Sequence, residues 1–327
     1  MPIVAAFGSS HSTMQFAGLE HWLERFDHVD VKAPLYEPDG RRADYATFLA
    51  RAMPQAETLM AKAAITERFS ATMRAQMALK DAIAEARLDA IIVIGDDQRE
   101  LFGDACRPAI AIYYGATIRN AAQPVMPPED WYARAGLNRR PKGADAHYPC
   151  HAALGRHIVE GLCAKGFDIT AIEALTGQQS EGHAFNSIQM LYLADRAVPM
   201  VPVMLNTYYP PNQPTPARSL DLGIAIGELA ETFPGSARIG IMASGGLSHF
   251  TVLEELDQSV IAALKRKDLE FLAGLDPARL RGGTSEIRNW ICAAGAIRKL
   301  NLGWLEYIAG YRSSALTGVG LCFAHWF

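Results

Sequence analysis

Seven apolar, β-branched-rich runs, at 2–7, 89–94, 108–114, 168–173, 199–205, 238–243 and 318–323, recur along a chain of 327 residues. Between them lie stretches of helical periodicity, at 43–88 (read as two helices), 151–165, 183–194, 217–232, 253–273 and 284–299. Strands that alternate with helices bury their apolar faces by stacking the helices on a central sheet. The expected fold is therefore α/β, a three-layer α/β/α sandwich with a central mixed sheet. No repeat or low-complexity tract breaks the pattern and nothing reads as a linker, so residues 1–327 are expected to form a single domain. Residues 119–149 stand apart: prolines, Trp131, Tyr132, Arg139 and Arg140 follow no clear period. A connection of that length is expected to be a lid or an interface insertion.

The balance of the chain excludes several classes of function. Half of the residues are hydrophobic, which is enough for a large core, and the net charge of -4 lacks the basic footprint of a general nucleic-acid binder. No apolar run approaches the roughly 20 residues of a membrane span. No charged segment leads into a long apolar one at the N-terminus, so a secretory leader is not expected and the protein reads as cytoplasmic. The five cysteines (Cys106, Cys150, Cys163, Cys292, Cys322) are scattered, which argues against a disulfide framework or a zinc–thiolate site. Nucleotide-binding glycine loops, HExxH and GxSxG are missing.

The chemistry concentrates where apolar runs end. Ile3–Phe7 runs into Gly8-Ser9-Ser10-His11, and Arg238–Met242 runs into Ala243-Ser244-Gly245-Gly246-Leu247-Ser248-His249. Open α/β sheets place their sites at the carboxyl ends of strands, so His11 and His249 read either as members of one shared site or as buried structural histidines. A third run ends in Gly95-Asp96-Asp97-Gln98-Arg99-Glu100, an oxygen-rich cluster suited to a metal or a hydroxylated ligand; alternatively Asp96 or Asp97 caps a following helix. In Gly282-Gly283-Thr284-Ser285-Glu286, Thr284 or Ser285 reads as an N-cap, with Glu286 in the first turn. Two histidines and a carboxylate are the minimum set for a facial-triad iron site. His183 opens a helix after Gly182, while His21, His28, His151 and His157 read as structural. The stiff loop Asn206–Arg218, with Tyr208 and Tyr209, could wall a flat aromatic ligand or simply cross over before a helix.

Together the segments GSSHS, GDDQRELF, GHAF, LNTYYPPNQPTPAR, ASGGLSHF, GTSEIRNWI and YRSSALTGVGLCFAHWF, spread over nearly the whole chain, resemble the class III extradiol ring-cleavage dioxygenases. That superfamily includes the protocatechuate 4,5-dioxygenase catalytic subunit, and the wording is closest to the 3-O-methylgallate dioxygenase branch. The resemblance implies Fe(II)-dependent extradiol cleavage of a catechol- or gallate-type ring by dioxygen, in a homo-oligomer with no membrane or nucleic-acid partner. It implies that His11 and Glu286 are iron ligands, that His249 is the acid–base residue and that His183 lies near the substrate hydroxyls. The family's second ligand is a histidine in Asn-Asp-His, where this chain has Asp96-Asp97-Gln98. Gln98 is the expected replacement, through its amide oxygen, with Asp97 as the alternative. Tyr208, Tyr209, Arg218 and Thr317 are the expected substrate contacts. The departure at Gln98 leaves a competing reading open: a binding or accessory homologue on the same scaffold, without ring cleavage.

Overall fold

A computed structural model describes residues 2–122, 131, 141, 143–177 and 179–327. All seven expected runs form strands: β1 (Ile3–Ser9), β4 (Ala90–Asp96), β5 (Ile110–Tyr113), β8 (Thr170–Ile172), β9 (Met200–Leu205), β10 (Ile239–Ser244) and β13 (Thr317–Trp326). The others are β2 (Leu35–Tyr36), β3 (Arg42–Ala43), β6 (Thr117–Asn120), β7 (Ala146–Pro149), β11 (His249–Thr251) and β12 (Leu302–Tyr311). Nine of them make one sheet in the order β11-β13-β1-β10-β4-β9-β5-β8, with β12 also on β13. The sheet is mixed. β1, β10, β4 and β9 run parallel, while β5 opposes β9 and β13 opposes β1, β11 and β12.

The central strands are buried on both faces, which is why they read as unbroken apolar runs instead of alternating ones. In β4, Ile92 and Ile94 enter one core with the helices Ala152–Ala164, Pro216–Thr232, Glu254–Arg266 and Ile287–Ala296. Ile91 and Val93 point the other way, into a second core with Lys62–Ala86 and His183–Ile188. The result is the expected three-layer α/β/α sandwich. On the first face two helices meet backbone to backbone. A Cβ on Gly223 would lie 1.8 Å from the Cys292 carbonyl oxygen, and one on Gly227 would lie 2.5 Å from that of Ala296. This close packing seats Ile287–Ala296 deep enough for its N-terminus to reach the strand ends.

Several expected boundaries shift. The stretch 43–88 holds three helices, Tyr45–Ala52, Gln55–Leu59 and Lys62–Ala86, because Pro54 interrupts the first period. The stretch 253–273 splits where Lys267 takes a left-handed conformation (φ 55°). No helix follows β4, so neither Asp96 nor Asp97 is a helix cap. The helix after Gly282–Glu286 starts at Ile287, which makes Glu286 its N-cap residue. β12 lies outside the seven expected runs, because it is a half-exposed strand without a clean alternation. Of the segment 119–149, the ends pair as the β6–β7 hairpin; residues 123–130, 132–140 and 142 lie outside the described residues, and with them most of the expected lid or interface insertion. Among the described residues no helix is long and apolar enough to cross a membrane.

Candidate metal centre

Parallel strands β1, β10 and β4 end side by side, with Ser9 opposite Ser244. His11 follows β1, Asp96 ends β4, and Glu286 arrives from the first face at the N-terminus of Ile287–Ala296. His183 comes from the second face at the start of its helix. One nitrogen or carboxylate oxygen from each of His11, Asp96, His183 and Glu286 lies within 4.8 Å of all the others. The four side chains are buried or nearly so.

Their partners set the orientation and the protonation of the rings. Ser244 Oγ donates to the Ala184 carbonyl (2.6 Å), so it accepts from His11 Nδ1 (3.0 Å). His183 Nδ1 donates to Glu100 Oε1 (2.5 Å). When deprotonated, both imidazoles are thereby left with Nε2 as the acceptor nitrogen, the arrangement in which metal-ligating histidines are held. The two Nε2 atoms are 3.2 Å apart, and His11 Nε2 is 3.1 Å from Glu286 Oε2. Adjacent ligands on one six-coordinate ion, with bonds of about 2.1 Å, would stand roughly 3.0 Å apart. Asp96 Oδ1 lies 3.9 Å from His11 Nε2 and takes no hydrogen bond.

The electrostatics agree with this geometry. Burial, reinforced by the Glu286 charge, pushes the Asp96 carboxyl well above its ordinary range. Burial would lift Glu286 too, but the charges and hydrogen bonds of His249 and His11 outweigh it and hold Glu286 well below the usual carboxylate range. Glu100 is also buried, and the charge and hydrogen bond of His183 bring it down to about 2. Acceptor nitrogens and buried carboxylates gathered this closely are a donor set for a divalent cation.

Around the cluster lies a cavity of about 300 Å³, lined among others by His11, Gln98, His183, Tyr208, His249 and Glu286. His249 Nε2 stands 3.1 Å from Glu286 Oε1 and 3.3 Å from the Tyr208 hydroxyl, which donates to the same oxygen at 3.0 Å. Burial, then the charges of Glu286 and Asp96, keep the Tyr208 phenol protonated far above its ordinary value. The segments Gly245–His249 and Gly282–Glu286 interlock here. A Cβ on Gly245 would lie 2.8 Å from Glu286 Oε2, and a Cβ on Gly283 would lie 2.0 Å from His249 Cδ2. Thr284 Oγ1 bridges the two backbones, accepting from His249 N (3.1 Å) and donating to His249 O (3.2 Å).

Other expected site residues fall elsewhere. Gln98 lines the cavity but turns its amide nitrogen toward Asp96 Oδ2 (3.2 Å) and Glu286 Oε1 (3.3 Å), so it supports carboxylates and does not present its oxygen as a ligand. Asp97 is engaged by the backbone N–H groups of Arg99, Leu101 and Phe102, at 3.1, 2.8 and 3.3 Å, which ties it to the loop. Tyr209 packs under Arg99 and Arg107, outside the cavity lining. Arg218 lies over the Phe167 ring, 3.9 Å from its centroid, and is not part of the cavity lining. Thr317 is fully buried and donates to Asp30 Oδ2 at 2.6 Å. Asp96 and Glu100 belong to the oxygen-rich strand end that the sequence marks as suited to a metal, but strand ends and turns are rich in acids for capping reasons alone, so neither stands out within it. The one available signal was their shared cluster with Gln98.

The family described as the catalytic LigB subunit of aromatic ring-opening dioxygenase matches residues 65–321. A gallate dioxygenase from Pseudomonas putida is 32% identical over 101 residues, which cover 30% of this chain and 28% of that enzyme, so the similarity spans under a third of the relative's length. A crystal structure of an uncharacterized protein from Escherichia coli K12 overlays at a TM-score of 0.44 with 14% identity, covering 76% of this chain and 91% of that one. With the match running over most of its length, the chain belongs to the family of catalytic LigB subunits of aromatic ring-opening dioxygenases.

Proposed function

We propose that the chain is an Fe(II)-dependent extradiol dioxygenase acting on a catechol- or gallate-type ring. The observation that carries the reading is the convergence of His11, His183, Asp96 and Glu286 on one point inside a ring-sized cavity. In this reading His11, His183 and Glu286 hold the ion, and Asp96 stands beside them. His183 takes the place that the resemblance gave to Gln98, which restores a set of two histidines and a carboxylate. When bound, such an ion would supply Lewis acidity toward adjacent ring oxygens and an electron path between ring and dioxygen.

The chain's own residues do the rest. Glu100 fixes the His183 ring, and Ser244 fixes that of His11. His249 accepts a phenolic proton at Nε2 and returns it later in the reaction, a general acid–base role. Tyr208 keeps its proton and steadies the Glu286 oxygen that faces His249. Buried walls exclude water from the ring, which favours oxygen insertion over side reactions.

The test is anaerobic loading with Fe(II), followed by oxygen uptake on a panel of catechols and gallates. Uptake with a yellow ring-fission product is the expected result. Tight iron binding with neither uptake nor product across the panel would instead favour a binding or accessory role.

A further inference from the structure

The turn that presents His249 is held by a side chain outside the cavity. Asp257, on the helix Glu254–Arg266, has no exposed surface and belongs neither to the cavity lining nor to the metal cluster. Ser248 gives its backbone N–H to Asp257 Oδ1 at 2.9 Å and its hydroxyl to Oδ2 at 2.6 Å. The Tyr307 hydroxyl, on β12, donates to Oδ2 at 2.7 Å. Ser248 Oγ itself accepts from Leu253 N at 2.8 Å, so its one proton is committed to the carboxylate. The turn is also sewn onto β13: Leu247 N donates to Gly320 O at 3.0 Å, and Gly320 N to Ser248 O at 2.8 Å. Gly320 leaves the room for the carboxylate, since a Cβ there would lie 2.1 Å from Asp257 Oδ2.

We infer that Asp257 is a positioning residue for the acid–base histidine, acting through Ser248 to fix the backbone from which His249 projects into the cavity. The inference rests on the ring-cleavage reading and deepens it by naming what holds its proton carrier in place. A buried carboxylate is a poor choice for stability alone, because burial penalises its charged form and lifts it to about 6. Yet all three of its hydrogen-bond partners among the described residues are donors, and an ionised carboxylate is the side chain of that size that accepts from all of them. Two of the bonds go to Ser248, one to its backbone and one to its side chain, which leaves the peptide leading into His249 little freedom to turn. The next backbone group is fixed as well, His249 N donating to Thr284 Oγ1 at 3.1 Å. The ring has only a long contact at Nδ1, 3.4 Å from Leu247 O, so its aim toward the cavity is inherited largely from the backbone. A general acid–base group acts only within hydrogen-bond reach of its proton, and a displacement of about 1 Å can lower turnover 10²-fold.

The test is a double-mutant cycle on the iron-loaded protein, read by oxygen uptake on the catechol or gallate that wild type turns over fastest. Its members are Asp257→Asn, His249→Phe and the two together, with circular dichroism and melting to verify folding. Asp257→Asn turns an N–H toward the donors and should lower kcat roughly 10–100-fold, with KM and iron content near wild type. In the His249→Phe background the same substitution should lower kcat no further, since residues that act as one unit are not additive. Tyr307→Phe removes a donor from the same carboxylate on the β12 side; it should lower the melting temperature and leave kcat near wild type. Ser248→Ala, which deletes the hydroxyl bond alone, should lower kcat in part, and it takes the place of Asp257→Asn in the cycle if that variant does not fold. Three results overturn the role of Asp257 while ring cleavage stands: unchanged kcat in the folded variant, a loss that persists undiminished beside His249→Phe, or an equal loss in Tyr307→Phe. Absence of uptake and of ring-fission product from wild type overturns both.

Discussion

Asp96 and Asp257 are both aspartates with no exposed surface, and the fold surrounds them in opposite ways. Asp257 receives Ser248 N at 2.9 Å, Ser248 Oγ at 2.6 Å and the Tyr307 hydroxyl at 2.7 Å, so both of its oxygens are satisfied. Asp96 receives one long bond from Gln98 and has an oxygen with none. Asp257 sits beneath the turn that carries His249 and ties helix Glu254–Arg266 to that turn and to β12. Asp96 faces the point where His11, His183 and Glu286 converge. Burial raises the pKa of both groups, yet only Asp96 faces a space in which a cation could offset it. A buried acid ringed by donors is an anchor, whereas a buried acid facing acceptors is part of a receptor.

The sharpest way to test the receptor side is through its neighbour on the anchored turn. His249→Phe should reduce turnover by roughly 10²–10⁴-fold, the range for a positioned acid–base group, while iron content stays near wild type. Loss of iron instead would make His249 a ligand, and a lower melting temperature with unchanged rate would make it structural.

For the anchor, the expected effect is on stability. Asp257 is raised by burial from 3.8 to about 6, so the folded chain holds a proton there that the unfolded chain has already released. Its contribution is therefore fully present below about pH 4 and is lost as pH rises through about 6, at a cost of about 3 kcal/mol. Denaturant unfolding of wild type and Asp257→Asn between pH 4 and 7 should show that difference, with iron affinity unchanged. Parallel pH profiles for the two proteins would mean that the three donors hold Asp257 ionised throughout.

Asp96→Asn should do the converse: Fe(II) affinity falls roughly 10–100-fold, as for groups that shape a metal site, while the iron-free protein melts no lower than wild type. Iron titration and melting decide it, and wild-type affinity in Asp96→Asn would erase the contrast. The smallest effect is expected from Gln98→His. With His183 already supplying the second imidazole, Fe(II) affinity should change by less than about tenfold; a larger gain would show that the second ligand position stands open.

How much of this could be read from the chain follows the same physical divide. The central strands were legible because burial on both faces leaves an unbroken apolar run. His11, His249 and Glu286 were legible as candidates because each follows a glycine turn at the end of an element. That His183 meets His11 was not, since the two come from elements 172 residues apart and on different layers. Gln98 drew attention as a misplaced ligand, when its amide in fact donates to the carboxylates on either side. Arg218 and Thr317 carried family-like wording, but helix rotation turned one onto Phe167 and sheet register turned the other onto Asp30.

The mutual fit of Gly245–His249 and Gly282–Glu286 restricts how such a site can be re-engineered. Each segment vacates the space in which the other's reactive side chain stands, so the two behave as a lock and its own key cut from one chain. A chimera that borrows one segment from a relative inherits a clash or a void unless its counterpart travels with it. Single-site libraries at Gly245 or Gly283 should therefore return almost only glycine, whereas libraries that vary both segments together have room to find new pairs.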